Sequence, residues 1–441
     1  MNSRRFETVI AGVLVAVVAR SAPEAQQVSF ERILRADREP QNWLTYSGGI
    51  FSQRYSPLTQ ITPANVKNLE LQWVFQTRGP AEPTEKFEAT PLVVDGVMYT
   101  VLAPNHVVAL DAATGRLFWM YSPRLSPLAR VCCGRVNRGL AILGETLFMG
   151  TIDGHLIAID AKNGKPVWDV SVSKPDLGYS FTMAPLVVKD KVIMGPAGGE
   201  YGIRGFIAAF DAKTGREVWR FNTVPGPGEP GHDSWPAGSN AWERGGGSIW
   251  VTGSYDPDLN LMYWGVGNPG PDWNADPRPG DNLYTDSVVA IDPDTGTLKW
   301  HYQFTPHDEF DYDSTQVPVL TDIEWRGRTR KVMLWANRNG FWYVLDRTHT
   351  RRNARVSEQP GRHQLVLAVV QSAHGSVLHP IVDGHLVHLH ERARGVQSRQ
   401  SIRRTVSDDA GTGAAHWPGS DQSAVARGSV GRDPGLRSEE R

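Results

Sequence analysis

Cysteine is nearly missing from this chain: 441 residues hold two, Cys132 and Cys133, and they are neighbours. That excludes a framework of several disulfides, and it excludes a zinc site assembled from spaced cysteine pairs. No Cys-x-x-Cys-His run occurs, so the chain has no haem-attachment sequence of the c type. Net charge is also scarce, at −1 for the whole chain. No basic stretch interleaved with aromatics appears, which leaves nucleic acid without an electrostatic footprint. Long apolar runs are absent too. The best, Val9–Ala19, is too short to span a bilayer. Arg4 and Arg5 precede it and the small residues Ser21–Ala25 follow, so residues 1–25 read as an export signal, with an uncleaved anchor as the other reading. Export implies the periplasm or the cell exterior, with membrane association if the anchor stays. No other segment is long enough to be an integral membrane span.

One absence is regional. From Arg351 to Arg441 there is no Lys, Phe, Tyr, Met or Cys, and Trp417 is the single aromatic residue. The same stretch has 13 Arg and seven of the 13 His. Residues 351–441 therefore read as an aberrant tail, either out-of-frame translation of a GC-rich gene or a disordered extension of low hydrophobicity.

What is abundant is glycine (44) and tryptophan (15), and both recur in one phrase. It reads VVALDAATGRLFW from Val107, LIAIDAKNGKPVW from Leu156, FIAAFDAKTGREVW from Phe206 and VVAIDPDTGTLKW from Val288. Asp, Gly and Trp keep one spacing: Asp111/Gly115/Trp119, Asp160/Gly164/Trp168, Asp211/Gly215/Trp219 and Asp292/Gly296/Trp300. A fifth copy, FWYVLDRT from Phe341, stops after Asp346. The Asp-to-Asp steps of 49, 51, 81 and 54 residues point to a propeller or solenoid of stacked units. The apolar, β-branched run before each Asp suits a buried strand. The Asp-x-x-Thr/Asn-Gly segment suits a turn, because Asp bonds its own backbone and Gly supplies positive φ. A Trp at one fixed place per unit reads as a wedge between units.

Three other patterns hold candidate chemistry. The adjacent cysteines are either a tight disulfide ring, closed in an oxidising compartment, or two buried thiols. GPAGGEYGIRG sets Glu200 among glycines that let backbone approach a ligand, and GVGNPGPDWN puts Asn268 at the end of an apolar strand. TPHDEFDYD concentrates Asp308, Glu309, Asp311 and Asp313. Carboxylates with an amide oxygen suit a hard cation such as calcium, while each loop alone also reads as a solvated turn.

Seven segments in order, including NWLTYSGGIFSQRYSPLTQITPANVKNLELQWVFQT, FEATPLVVDGVMY, CCGRVNRG, GGGSIWVTGSYDP and ANRNGFWYVLDR, resemble the quinoprotein alcohol dehydrogenases. The resemblance runs from about Gln41 to Arg347. It implies an all-β, eight-bladed propeller that uses pyrroloquinoline quinone (PQQ), here partial over residues 26–350, with the later blades missing. It further implies that Cys132 and Cys133 form a vicinal disulfide on one face of PQQ and Trp250 a stacking floor on the other. Glu88, Arg138, Thr182 and Ser248 would hold its rim, with Ala197 where some members have Ser. Gly198 and Gly199 would bring backbone near, and Arg338 would bond the reactive carbonyl side. Glu200 and Asn268 would bind the metal with Asp311, which is also the implied catalytic base. Asp313, expected on the same side of an extended segment as Asp311, matches the lanthanide-dependent members, so the implied ion is a lanthanide (Ln³⁺) or Ca²⁺. The implied reaction is oxidation of an alcohol to an aldehyde, with electrons passed to a cytochrome c in the periplasm. A binding scaffold of the outer-membrane assembly type would share the repeats and need none of these residues.

Overall fold

The protein is described by a computed structural model covering residues 27–77 and 86–348, plus the backbone of three short strands beyond. The expected export signal and most of the expected aberrant tail lie outside the described residues.

Each of the four full copies of the repeated phrase forms the outer hairpin of a four-stranded antiparallel sheet. The first sheet holds β1 (Leu92–Val94), β2 (Val97–Leu102), β3 (His106–Asp111) and β4 (Leu117–Tyr121). The second holds β5 (Ala141–Leu143), β6 (Thr146–Gly150), β7 (His155–Asp160) and β8 (Pro166–Ser171). The third holds β9 (Leu186–Val188), β10 (Lys191–Met194), β11 (Phe206–Asp211) and β12 (Glu217–Asn222). The fourth holds β13 (Ser254–Asp256), β14 (Leu261–Gly265), β15 (Ser287–Ile291) and β16 (Leu298–Gln303). A fifth starts with β17 (Val319–Trp325), β18 (Arg328–Ala336) and β19 (Phe341–Asp346). It continues through β20 (Ala368–Val370), β21 (His379–Val382) and β22 (His385–Leu386), the first of which pairs with Phe341 and Trp342.

Burial follows position in the blade. The third strands are buried almost throughout, as in His155–Asp160, because a neighbouring sheet covers each face. The fourth strands are more open than the third, most of all Pro166–Ser171, because they form the rim. Apolar side chains of the first four sheets join in one continuous core.

The joint between blades is the phrase itself. Asp160 Oδ1 accepts the backbone N–H groups of Lys162 and Asn163, at 2.8 and 3.1 Å, and so fixes the turn. Gly164 then sits at φ +73°, and the indole of Trp119 from the preceding blade lies flat against it. A Cβ on Gly164 would stand 2.5 Å from that ring. The same contact pairs Gly215 with Trp168 and Gly296 with Trp219. Each indole N–H also donates to the carbonyl one residue past the next Asp: Trp119 to Ala161 at 3.0 Å, Trp168 to Ala212 at 3.3 Å and Trp219 to Pro293 at 2.9 Å. Trp300 departs from this: its buried N–H finds no acceptor among the described residues, and the corresponding carbonyl of Arg347 takes the hydroxyl of Tyr263 instead.

The sequence reading missed one joint. Trp73 packs on Gly115 and donates to Ala112 at 3.3 Å, as an outer-strand Trp should. Its own segment is extended and pairs with no strand among the described residues, with Leu71 and Val74 exposed.

Candidate functional site

In an antiparallel blade the connection between second and third strands and the connection to the next blade leave from the same end. The Asp-x-x-Thr/Asn-Gly turns lie at the other. Every expected site residue falls in a connection of the first kind or in the lead to the first blade. Cys132, Cys133 and Arg138 lie between β4 and β5, Thr182 between β8 and β9, and Ala197 to Glu200 between β10 and β11. Ser248 and Trp250 lie between β12 and β13, Asn268 between β14 and β15, Asp311 and Asp313 between β16 and β17, and Arg338 between β18 and β19. Twelve of the fifteen expected residues line one cavity of about 280 Å³: Glu88, Cys132, Cys133, Arg138, Thr182, Ala197, Gly198, Glu200, Trp250, Asp311, Asp313 and Arg338. Gly199, Ser248 and Asn268 form the buried layer behind it. A Cβ on Gly199 would stand 2.9 Å from Asn268 Oδ1 and 3.4 Å from Ser248 Oγ, so only glycine lets these groups close up.

Backbone bonds place Arg138. Thr90 N–H donates to the Arg138 carbonyl at 3.0 Å and Arg138 N–H to the Thr182 carbonyl at 2.9 Å, a step from blade to blade to blade. The guanidinium then pairs with Glu88 at 2.7 Å and donates to Thr182 Oγ1 at 3.0 Å and the Trp250 carbonyl at 3.3 Å. Its carbon lies 4.8 Å from the centre of the Trp250 ring, in cation–π range. Cys132 and Cys133 are joined as a disulfide, which closes the alternative of two thiols. A sulfur of Cys133 lies 4.0 Å from Glu200 Oε1, and Lys86 Nζ donates to the Cys133 carbonyl at 3.2 Å. A closed disulfide offers no thiolate, so these sulfurs add nothing to a metal donor set.

The floor of the cavity is acidic. Asp313 is buried, and Oδ2 accepts the Trp250 indole N–H at 2.9 Å and Arg338 at 3.3 Å, while Oδ1 accepts the Asn268 N–H at 3.1 Å. Arg338 also lies 4.0 Å from Asp311. Burial pushes the Asp313 carboxyl up to about 7, against the hydrogen bond from Trp250 that pulls it down. Burial raises Glu200 as well, with Asp272 and Asp311 adding to it, and raises Asp311 against the opposing pull of Arg338. Asp272, which the sequence reading missed, is raised by burial and by Asp311, and it accepts the Asn268 side-chain N–H at 2.6 Å.

Two oxygens of the expected cation donors meet no hydrogen-bond donor among the described residues: Asn268 Oδ1, on a fully buried residue, and Asp311 Oδ1. A buried polar atom without a partner is costly. Beside Glu200, an orphaned amide oxygen and an orphaned carboxylate oxygen are the hard donors that a Ca²⁺ or lanthanide ion takes, so these residues fit a cation. The segment bearing Asp311 and Asp313 is not extended as expected. Both residues sit at positive φ, +58° and +52°. Asp308 explains the bend: its carboxylate turns inward to accept the N–H groups of Phe310 and Tyr312 at 3.0 and 2.9 Å.

Comparisons place these features in context. Residues 43–366 match the family model described as the PQQ glucose/ethanol/alcohol dehydrogenase β-propeller domain. Quinohemoprotein alcohol dehydrogenase ADH IIB of Pseudomonas putida is 46% identical over 321 residues, covering 70% of this chain and 46% of that protein. The solved quinohemoprotein alcohol dehydrogenase ADHIIG of Pseudomonas putida HK5 is 42% identical at a TM-score of 0.69, covering 74% of this chain and 49% of that one. A europium-containing methanol dehydrogenase is 36% identical at the same TM-score, covering 81% and 63%. The chain spans about half the length of the curated relatives it matches.

Proposed function

We propose, from the premise that this chain belongs to the family of PQQ-dependent dehydrogenases built on a β-propeller, that its cavity holds PQQ beside a Ca²⁺ or lanthanide ion and oxidises alcohols to aldehydes. The observation that carries this reading is the meeting, in one cavity, of the Cys132–Cys133 disulfide, the Arg138–Trp250 stack and the undonated oxygens of Asn268 and Asp311 beside Glu200. A flat anionic cofactor needs aromatic or rigid surfaces for its faces and cations for its edge. Trp250 and the disulfide ring offer the first, Arg138 and Arg338 the second.

When bound, PQQ supplies a two-electron acceptor, and the cation supplies Lewis acidity. The chain's part is to bind, orient and move one proton. Glu200, Asn268 Oδ1 and Asp311 would hold the cation. Asp313 would add a third carboxylate, since a carboxylate has about four lone-pair sites and only three donors reach this one. That added charge favours a trivalent ion over Ca²⁺. With Asp311 Oδ1 on the cation, the other oxygen of the same carboxylate, Oδ2, takes the hydroxyl proton of the alcohol as general base. Burial raises its carboxyl and so strengthens it as a base, while the Arg338 guanidinium opposes that rise. Electrons leave to a soluble acceptor, which we take to be a cytochrome c, and the export pattern of residues 1–25 supports the periplasm as the place.

The test loads the chain with PQQ and Ca²⁺ or La³⁺. The expected result is cation-dependent quenching of tryptophan fluorescence by PQQ, and alcohol-dependent dye reduction that is stronger with La³⁺. Absence of PQQ binding with either ion would overturn the reading. Equal activity with Ca²⁺ alone would remove the lanthanide preference and leave the rest.

A further inference from the structure

Behind the acidic floor lies a guanidinium that the reaction does not use. Arg278 is fully buried. Its Nε and Nη2 both donate to the Pro271 carbonyl, at 3.3 and 3.1 Å, and Nη2 also donates to the Asp308 carbonyl. Nη1 donates to Asn282 Oδ1 at 3.0 Å, and Asn282 returns a bond to the Arg278 carbonyl at 2.8 Å. Pro271 lies between Asn268 and Asp272. Asp308 opens the turn that presents Asp311 and Asp313, and its carboxylate brackets Asp311 by holding the N–H groups of Phe310 and Tyr312. One planar fork therefore ties together the two loops that bring cation donors from one end of the fourth sheet. A buried guanidinium is costly unless charge and acceptors surround it, and here the carboxylates of Asp308 and Asp286 offset it.

We propose that Arg278 and Asp308 are positioning residues: together they fix the separation of the Asn268–Asp272 and Asp311–Asp313 loops, and so the size of cation that fits between them. This rests on the cation reading above. Lysine cannot replace the fork, because its ammonium is a point donor that cannot serve two carbonyls in one plane.

The experiment uses the full chain, Arg278→Lys and Asp308→Asn, with two readouts. One is hydrogen exchange at the Phe310 and Tyr312 amides in the absence of cation. The other is titration with Ca²⁺ and Tb³⁺. We expect exchange to quicken at least tenfold at both amides in Arg278→Lys and at one of the two in Asp308→Asn, whose amide keeps one acceptor oxygen, while Ile157 and Ile159 in β7 stay unchanged. Cation affinity should fall by about 10- to 100-fold, as for loss of groups that orient metal ligands elsewhere. Unchanged exchange at Phe310 and Tyr312 overturns the clamp, whatever the cation does. A wild-type chain that binds neither cation overturns the cation reading, while the exchange data still judge the clamp. Should Arg278→Lys not fold, Asn282→Ala, which removes the acceptor of Arg278 Nη1, takes its place with the same expected quickening.

Discussion

Replacing Gly164 with alanine separates two costs that usually arrive together. Gly164 and Gly96 both have left-handed backbone, at φ +73° and +84°. An alanine at either site pays the left-handed penalty of roughly 1–2 kcal/mol. At Gly96 nothing lies within 4 Å of the added methyl, so the penalty ends there. At Gly164 the methyl would stand 2.5, 2.8 and 3.1 Å from three carbons of the Trp119 indole. The ring must retreat by about 1 Å, which breaks its 3.0 Å bond to the Ala161 carbonyl. That bond is worth about 1 kcal/mol, and forced repacking of a filled contact costs about 1–3 kcal/mol more. Gly164→Ala should therefore lose about 2–4 kcal/mol beyond Gly96→Ala. Urea denaturation of the two variants and the wild type, followed by tryptophan fluorescence, measures the difference. Equal losses would refute the claim that the indole–glycine contact joins the blades.

Two further outcomes concern the acidic floor. The folded carboxyl of Asp313 lies near 7, above its unfolded value, so the native state holds the extra proton and metal-free stability falls as pH rises from about 4 through 7. A shift of that size corresponds to about 4 kcal/mol at the alkaline end. Asp313→Asn should remove most of the slope, and saturating Ca²⁺ or La³⁺ should flatten it; urea midpoints that stay level or rise with pH in the metal-free wild type would contradict this. Trp250→Phe keeps a ring but removes the N–H that reaches Asp313 at 2.9 Å. The Asp313 carboxyl should rise further, shifting the pH midpoint of stability upward with an unchanged circular dichroism spectrum.

The joints were legible because both halves of each contact stand in one phrase: Asp160 and Gly164 shape the turn that receives Trp119, and the same spacing recurs in the next blade. Trp73 escaped because no Asp-x-x-Thr-Gly turn precedes it, although its ring is used in the same way. Residue roles at the cavity came from the resemblance, and their convergence follows from which ends of the strands they leave. The floor was harder. A run such as TPHDEFDYD gives residue types, but side-chain direction depends on backbone, and His307, Asp311 and Asp313 all take positive φ. Alternation then fails, and nothing in the run says that Asp308 points inward while Asp311 faces the cavity. Asp272 and Arg278 were silent for a related reason: their importance lies in contacts with Asp311 and Asp308, which sequence distance hides.

The joint has a lineage consequence. Because ring and receiving glycine both belong to the repeated phrase, a gene that gains or loses one whole period among the four full copies keeps the seams between them matched. Material inserted between seams escapes that discipline. The longest step, 81 residues from Asp211 to Asp292, contains Ser248, Trp250, Asn268, Asp272 and Arg278. Part of this protein's site thus stands in the stretch that the seam contacts constrain least.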